Sequence, residues 1–289
     1  MNGATKLAIL LLIVVVFLGE ISKDPQADNP RFVAPAEKTL PPLPAISAEG
    51  VGEVGPPSIL DPVIVIEDEV KGDRQQFTGT AFSIDPRGLW VTARHVTNGC
   101  SQLLLLRPHK RALKVENLVE HARSDVSIIQ TSSGVEALPI DYSTPQYNQE
   151  GFHYGFPRGE PGAVYSNLIG RRTIKTTGSR RSKEAVHVWA ERIRVPNSDK
   201  SLGGISGGPI LNKQGSVVGI HVAGSIRRGR SFSSMPKNID ELLVNNNVEL
   251  NSSTISPADI TSLNATDFAR VGEELRGDLT VAQVICRTN

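Results

Sequence analysis

The sequence predicts an all-β domain closed by a short C-terminal helix and preceded by an apolar N-terminal segment. Three observations carry this. Gly (26) and Pro (19) are plentiful while aromatic residues are only 5%, a mixture suited to short strands joined by turns. Short apolar or alternating runs recur between residues 59 and 248: Val63–Ile66, Phe77–Ile84, Leu89–Thr92, Leu103–Leu106, Val126–Ile129, Val186–Val188 and Val217–Val222. No helical period persists before Lys237–Val244, where Ile239, Leu242 and Leu243 share one face.

Composition narrows the function classes. Apolar residues at 39% supply a core, so disorder throughout is excluded. Lys plus Arg (31) balances Asp plus Glu (30), which gives no global reason to expect a nucleic-acid partner. Two cysteines and no Cys-x-x-Cys pair exclude a disulfide-dense scaffold and argue against a thiolate zinc site.

The elements follow in order. Leu7–Gly19 is a run of thirteen uncharged, mostly apolar residues between Lys6 and Glu20. A full span needs about 20 residues and a signal-peptide core about 7–15. No small-x-small cleavage site follows, so residues 1–22 are read as an uncleaved signal-anchor, with a cleaved signal peptide as the alternative. Either reading exports the rest of the chain. Residues 23–58 are a Pro-rich linker, since 21–58 hold eight prolines and few large apolar residues. Residues 59–250 are the β domain. Residues 251–289 begin polar, then offer a helix at Thr266–Arg276 and a strand at Leu279–Cys286, with no role legible.

Three segments inside the β domain carry candidate chemistry. Gly79-Thr80-Ala81-Phe82-Ser83-Ile84 leads through a turn to Trp90-Val91-Thr92-Ala93-Arg94-His95-Val96. Ser124-Asp125-Val126-Ser127-Ile128-Ile129 follows, then Gly203-Gly204-Ile205-Ser206-Gly207-Gly208-Pro209-Ile210. A serine hydroxyl needs a base to take its proton, histidine titrates near neutrality, and a carboxylate fixes the imidazole tautomer. Glycines around Ser206 let backbone N–H groups converge where a carbonyl oxygen becomes negative. Taken singly, His95 reads as a structural histidine, Asp125 as a strand cap and Ser206 as a turn residue. Gly204–Gly208 also fits the G-x-S-x-G nucleophile elbow, but that fold runs serine, acid, histidine, and here the serine comes last.

In motif and in order these segments resemble the trypsin-like (chymotrypsin-fold) serine proteases, over about Gly79–Val244. The resemblance implies two six-stranded β-barrels with the site between them. It implies His95, Asp125 and Ser206 as a catalytic triad and the amides of Gly204 and Ser206 as an oxyanion hole. Peptide or protein would be the substrate, and no metal or cofactor is called for. Where relatives often have Asp or Asn before the nucleophile, this chain has Ile205, which argues against activation by a newly cut N-terminus. Arg94 stands where small residues are common, and its side chain is expected to point away from His95.

A second resemblance concerns specificity. Gly219-Ile220-His221-Val222-Ala223-Gly224 resembles the pocket strand of glutamyl endopeptidases and viral chymotrypsin-like proteases, whose histidine meets a substrate Glu or Gln. Ser201, His221, Val222, Ala223 and Gly224 are therefore the expected substrate-binding residues, with Glu or Gln favoured before the cut bond. A pocket for small apolar residues and a tethered, non-catalytic binding module are the alternatives. Gly155-Phe156-Pro157-Arg158-Gly159 and Ser231–Ile239 resemble stretches of the HtrA/DegP-like group, although the residues after Val248 are too few for a PDZ domain. His109, His121, His153 and His187 have no motif context and are expected to be surface or structural residues. The basic stretch Arg171–Lys183 reads as a solvated hairpin. Cys100 and Cys286 would pin the tail to the barrel if they pair in an oxidising compartment. Oligomeric state is not legible.

Overall fold

The structure, a computed structural model, describes residues 52–67, 76–106, 112–177, 182–225, 228–251 and 263–288. The signal-anchor and most of the Pro-rich linker fall outside these residues. Among the described residues no helix is long and apolar enough to cross a membrane.

Thirteen strands dominate the described residues. They are β1 (Val63–Glu67), β2 (Gln76–Asp85), β3 (Leu89–Thr92), β4 (Gln102–Leu106), β5 (Ala112–Glu120), β6 (Ser127–Thr131) and β7 (Glu150–Gly155) in the first half. β8 (Gly162–Thr177), β9 (Ser182–Val195), β10 (Pro209–Leu211), β11 (Val217–Ser225), β12 (Arg230–Ser234) and β13 (Val281–Arg287) complete the set. Among the described residues three α-helices interrupt them: α1 (Arg94–Thr97), α2 (Lys237–Asn245) and α3 (Phe268–Gly277).

The strands form two sheets. The first is a closed barrel in the order β13-β2-β3-β6-β5-β4. The second runs β1-β8-β7-β10-β11-β12-β9, and a further β8–β9 pairing closes six of its strands into a ring, leaving β1 attached in parallel to the far end of β8. Closure leaves few unpaired edges, which suits strands this apolar. β2 and β3 are almost wholly buried, so they read as apolar runs rather than as alternation. Gly207 illustrates how tightly the barrels meet: with φ +88°, a Cβ there would sit 2.2 Å from the Thr80 carbonyl oxygen.

Both edges drawn from the sequence lie inside this unit. At the front, Val54 is 3% exposed, packs with Leu168, Trp189, Ile210 and Val218, and donates its N–H to the Pro145 carbonyl at 2.8 Å. Arg171 clasps the same segment through Asp61 and the Gly55 carbonyl. At the back, residues assigned to a separate tail supply β13, the sixth strand of the first barrel, paired to β2 and to β4. A disulfide between Cys100 and Cys286 joins that strand to the turn after α1, with Cα atoms 5.3 Å apart. α3 buries Phe268, Val271 and Leu275 against the core that includes Phe152 and Tyr165.

Candidate active site

The first barrel delivers an imidazole and a carboxylate. β3 ends at Thr92, and the chain passes through Ala93 into α1, which carries His95. A helical turn forms here, because Val96 N–H returns to the Ala93 carbonyl and Asn98 N–H to that of Arg94. The His95 main-chain N–H donates to Asp125 Oδ1 at 2.8 Å, and His95 Nδ1 meets Asp125 Oδ2 at 2.6 Å. Both oxygens thus serve one residue, which fixes the ring and holds a proton on Nδ1. Burial works to raise the Asp125 carboxyl, but His95 and these hydrogen bonds bring it below the usual carboxylate value. Arg94 is buried and donates to the carbonyls of His121 (2.7 Å) and Ala122 (3.3 Å), so it braces the loop leading to Asp125 rather than crowding His95.

The second barrel delivers the serine turn. Ile205 N–H donates to the Leu202 carbonyl at 2.9 Å, and Gly204 takes φ +99° inside that turn. The Gly203 carbonyl accepts the Arg158 N–H at 2.5 Å. A trans peptide sets its C=O and N–H on opposite sides, so the Gly204 N–H points away from Arg158. Neither it nor the Ser206 N–H meets a backbone carbonyl among the described residues. Thr80 holds the turn from the other barrel. Its Oγ1 donates to the Gly204 carbonyl (2.8 Å) and accepts the Phe156 N–H (3.1 Å), and its N–H donates to the Ser206 carbonyl (2.9 Å). A Cβ on Gly207 would lie 2.3 Å from Thr92 Oγ1 and 2.7 Å from Ala93 N, so the turn at Ser206 abuts the segment that carries His95. Ile205 is fully buried.

The expected pocket residues divide. His221 lies on β11, and its main chain pairs with the two glycines that follow Ser206, accepting from Gly207 N–H (2.8 Å) and donating to the Gly208 carbonyl (2.9 Å). The residue is 1% exposed. A bulge between His221 and Ala223 turns the strand at Val222, which is buried, while Ala223 is half-buried and Gly224 exposed. Ser201 is exposed, and its Oγ accepts the Gly203 N–H at 3.1 Å, so it caps the start of the serine turn. Behind them Arg194 donates to the carbonyls of Ser198 (3.1 Å) and Lys200 (2.9 Å) and pairs with Glu191, fixing the approach to Ser201.

Two groups had no motif to announce them. His153 on β7, expected to be structural, is fully buried and hydrogen-bonded to His221 at 3.1 Å. Glu184 on β9 crosses from the second barrel to accept the Asp125 main-chain N–H at 3.1 Å, with Ser234 Oγ donating to its other oxygen at 2.9 Å. Burial, and next to it the Asp125 charge, push the Glu184 carboxyl up to about 8, so it is largely protonated at neutral pH. His121 is structural: Nδ1 accepts the Ser124 N–H and Nε2 meets Glu241. His187 is buried, which pulls it down to about 4. His109 lies outside the described residues.

Two closed barrels, with an imidazole–carboxylate pair from one abutting a glycine-flanked serine from the other, define a chymotrypsin-like architecture. A model of the trypsin-like peptidase domain matches residues 79–220. The Synechocystis sp. protein named as serine protease HhoA is 26% identical over 146 residues, 50% of this chain and 36% of the relative. A DegP-like protein of Pseudomonas savastanoi pv. phaseolicola, named as a periplasmic serine endoprotease, is 25% identical across 52% of this chain and 30% of its own. The chain thus spans about a third of the length of these curated relatives. The active form of the Rv3671c protease from M. tuberculosis superposes with a TM-score of 0.50 at 14% identity, covering 71% of this chain and 99% of that one, a likeness of fold.

Proposed function

We propose that the chain is a serine endopeptidase acting through an acyl-enzyme. Ser206 attacks the carbonyl carbon, and His95 takes the hydroxyl proton and returns it to the leaving amine. Asp125 holds His95 in the correct tautomer and stabilises its imidazolium, and the amides of Gly204 and Ser206 bind the oxyanion. The observation that carries this reading is the doubled His95–Asp125 hydrogen bond beside the turn of Ser206. The pinned Gly203–Gly204 peptide adds support, since it leaves an oxyanion donor already oriented.

The finer reading assigns peptide or protein as substrate and a pocket formed by Ser201, His221, Val222, Ala223 and Gly224, with Glu or Gln before the cut bond. The run Leu7–Gly19 supports export with an N-terminal membrane anchor, and the periplasmic name of one relative agrees with export. The test is a proteome-derived peptide mixture incubated with the full chain and with Ser206→Ala, cut sites being read by mass spectrometry. Cleavage by the first alone, clustered after Glu or Gln, is expected. Equal cleavage by both proteins would reject the triad, and cuts only after Ala or Val would reject the pocket.

A further inference from the structure

The segment that leads into β1 holds apolar side chains out to solvent. Ile59 (94%) and Leu60 (87%) are the most exposed large apolar residues among those described, and Val63 (52%) and Val65 (60%) stand a few positions on. Single exposed apolar residues are ordinary, but a cluster marks a contact surface. The apolar tip is also firmly built. Ser58 N–H donates to Asp61 Oδ2 at 3.0 Å, Leu60 N–H to Ser58 Oγ at 3.2 Å and Asp61 N–H to the Ser58 carbonyl at 3.1 Å, so Ile59 and Leu60 cap a closed turn. Arg171 grips both sides of that turn, through the Gly55 carbonyl and through both Asp61 oxygens, at 2.6 and 2.8 Å. The grip also neutralises the Asp61 charge, and both side chains are largely buried.

Strand register sets what lies beside the tip. Side chains alternate along a strand, and paired residues share a face. Ile64 and Ile66 turn inward, against the core that includes Ile174, Val186 and Val222. Val63 and Val65 therefore turn outward. Val65 pairs with Lys175 on β8, and Lys175 with Lys183 on β9, so one row across three strands reads Val65, Lys175, Lys183, and both lysines are exposed. From Arg171 to Lys183 the sequence holds six Arg and Lys and no Asp or Glu. Glu184, next to Lys183, takes the opposite face of the sheet, where it accepts the Asp125 N–H. The outward face is thus turned away from the candidate triad.

We propose that the Ser58–Asp61 turn and the outward face of β1, flanked by Lys175 and Lys183, form a docking face that seats the domain on an anionic lipid surface. The nearness of such a surface rests on the N-terminal anchor assigned under the proposed function; the face itself follows from the fold. Apolar tips enter the boundary between head groups and acyl chains while ammonium groups meet the phosphates. Stable attachment by short apolar elements takes two signals. The run Leu7–Gly19, thirteen residues where a full span takes about 20, supplies one, and this face supplies the other. A second copy of the chain would bring the same lysine row to both sides of the contact, and like charges oppose that pairing. Docked this way, the domain keeps its candidate triad on the side away from the lipid.

The test uses the full chain with Leu60→Trp as a depth probe, in a Ser206→Ala background that prevents self-digestion. Trp90 and Trp189 are buried, so the same background without Leu60→Trp supplies the baseline. The chain is reconstituted with vesicles of phosphatidylcholine brominated on the upper acyl chain, with or without phosphatidylglycerol. Bromine quenching of the new tryptophan is expected, stronger when phosphatidylglycerol is present. Lys175→Gln with Lys183→Gln should weaken docking about five-fold per lysine, while circular dichroism melting stays unchanged. Equal quenching on both lipids, or quenching that the lysine pair leaves unaltered, overturns the proposal. So does a blue shift that grows with protein density on the vesicle but carries no quenching, which would assign the face to a second copy. Vesicle flotation separates the two readings. A chain that floats with the vesicles but shows no quenching overturns the docking face and leaves the anchor standing. Quenching by a chain that stops floating after Ile59→Ser and Leu60→Ser supports the docking face and faults the anchor.

Discussion

Glu184 offers a quantitative test, because replacing it with Gln mimics its protonated form. Its carboxyl moves from an ordinary 4.5 to about 8 in the fold, first through burial and then through the Asp125 charge. Below pH 4.5 folded and unfolded chains both hold the proton, and this group adds no pH dependence. Between 4.5 and 8 the unfolded chain releases it while the folded chain keeps it, so folding stability falls as pH rises, by about 1.4 kcal/mol per unit. Over the whole interval the loss is about 5 kcal/mol, as an order of magnitude. Above 8 both states are ionised and the loss stops. Glu184→Gln removes this component while its amide oxygen still accepts the Asp125 N–H. In a Ser206→Ala background, which prevents self-digestion, melting curves should agree near pH 4.5 and diverge as pH rises. By pH 8 the Gln variant should melt on the order of 10 °C higher, at about 2–4 °C per kcal/mol for a domain of this size. Parallel curves from pH 4.5 to 9 would refute the buried, protonated Glu184 and its place behind Asp125.

Three further outcomes follow from the geometry. Asp125→Asn should lower kcat by about 10,000-fold, as when the equivalent change leaves the imidazole in the wrong tautomer, with circular dichroism unchanged. Gly207→Ala should lose both stability and phosphonate labelling, because its φ of +88° and the 2.2 Å approach to the Thr80 carbonyl leave no room for a methyl group. Double replacement of Cys100 and Cys286 by Ser should lower stability by about 5 kcal/mol on the chain-entropy account, since the bond closes a loop between residues 186 apart. Denaturant titration measures the last, and a change within error would contradict it.

Much of the architecture was legible where one physical signal dominated. β2, β3 and β6 are buried strands, and their apolar runs said so within a residue or two. α2 followed from its apolar face. β5 was not legible, because its residues alternate only weakly and are largely exposed. The basic stretch Arg171–Lys183 was read as a solvated hairpin and lies at the outer end of the β8–β9 hairpin, but nothing in its sequence told how far that pairing extends. β13 was recognisable as a strand, but no local pattern says that its partners are β2 and β4, about 200 and 180 residues earlier.

The candidate site shows the same division. His95, Asp125 and Ser206 stood in motifs whose spacing has a chemical reason. Glu184 and His153 did not, because each acts through a strand pairing that joins distant segments. Their one signal was a polar residue inside an apolar stretch: Glu184 before Ala185-Val186, and His153 between Phe152 and Tyr154. A buried ionisable group in such a position calls for a partner, and here the partners are Asp125 and His221.

The central claim is that Ser206 is a nucleophile activated by the His95–Asp125 pair. Its most direct measurement is peptide mapping after reaction with a fluorophosphonate probe. One stoichiometric adduct on Ser206, absent after prior His95→Ala substitution, is the predicted result. A folded protein that takes up no probe, or takes it up on another residue, would contradict it.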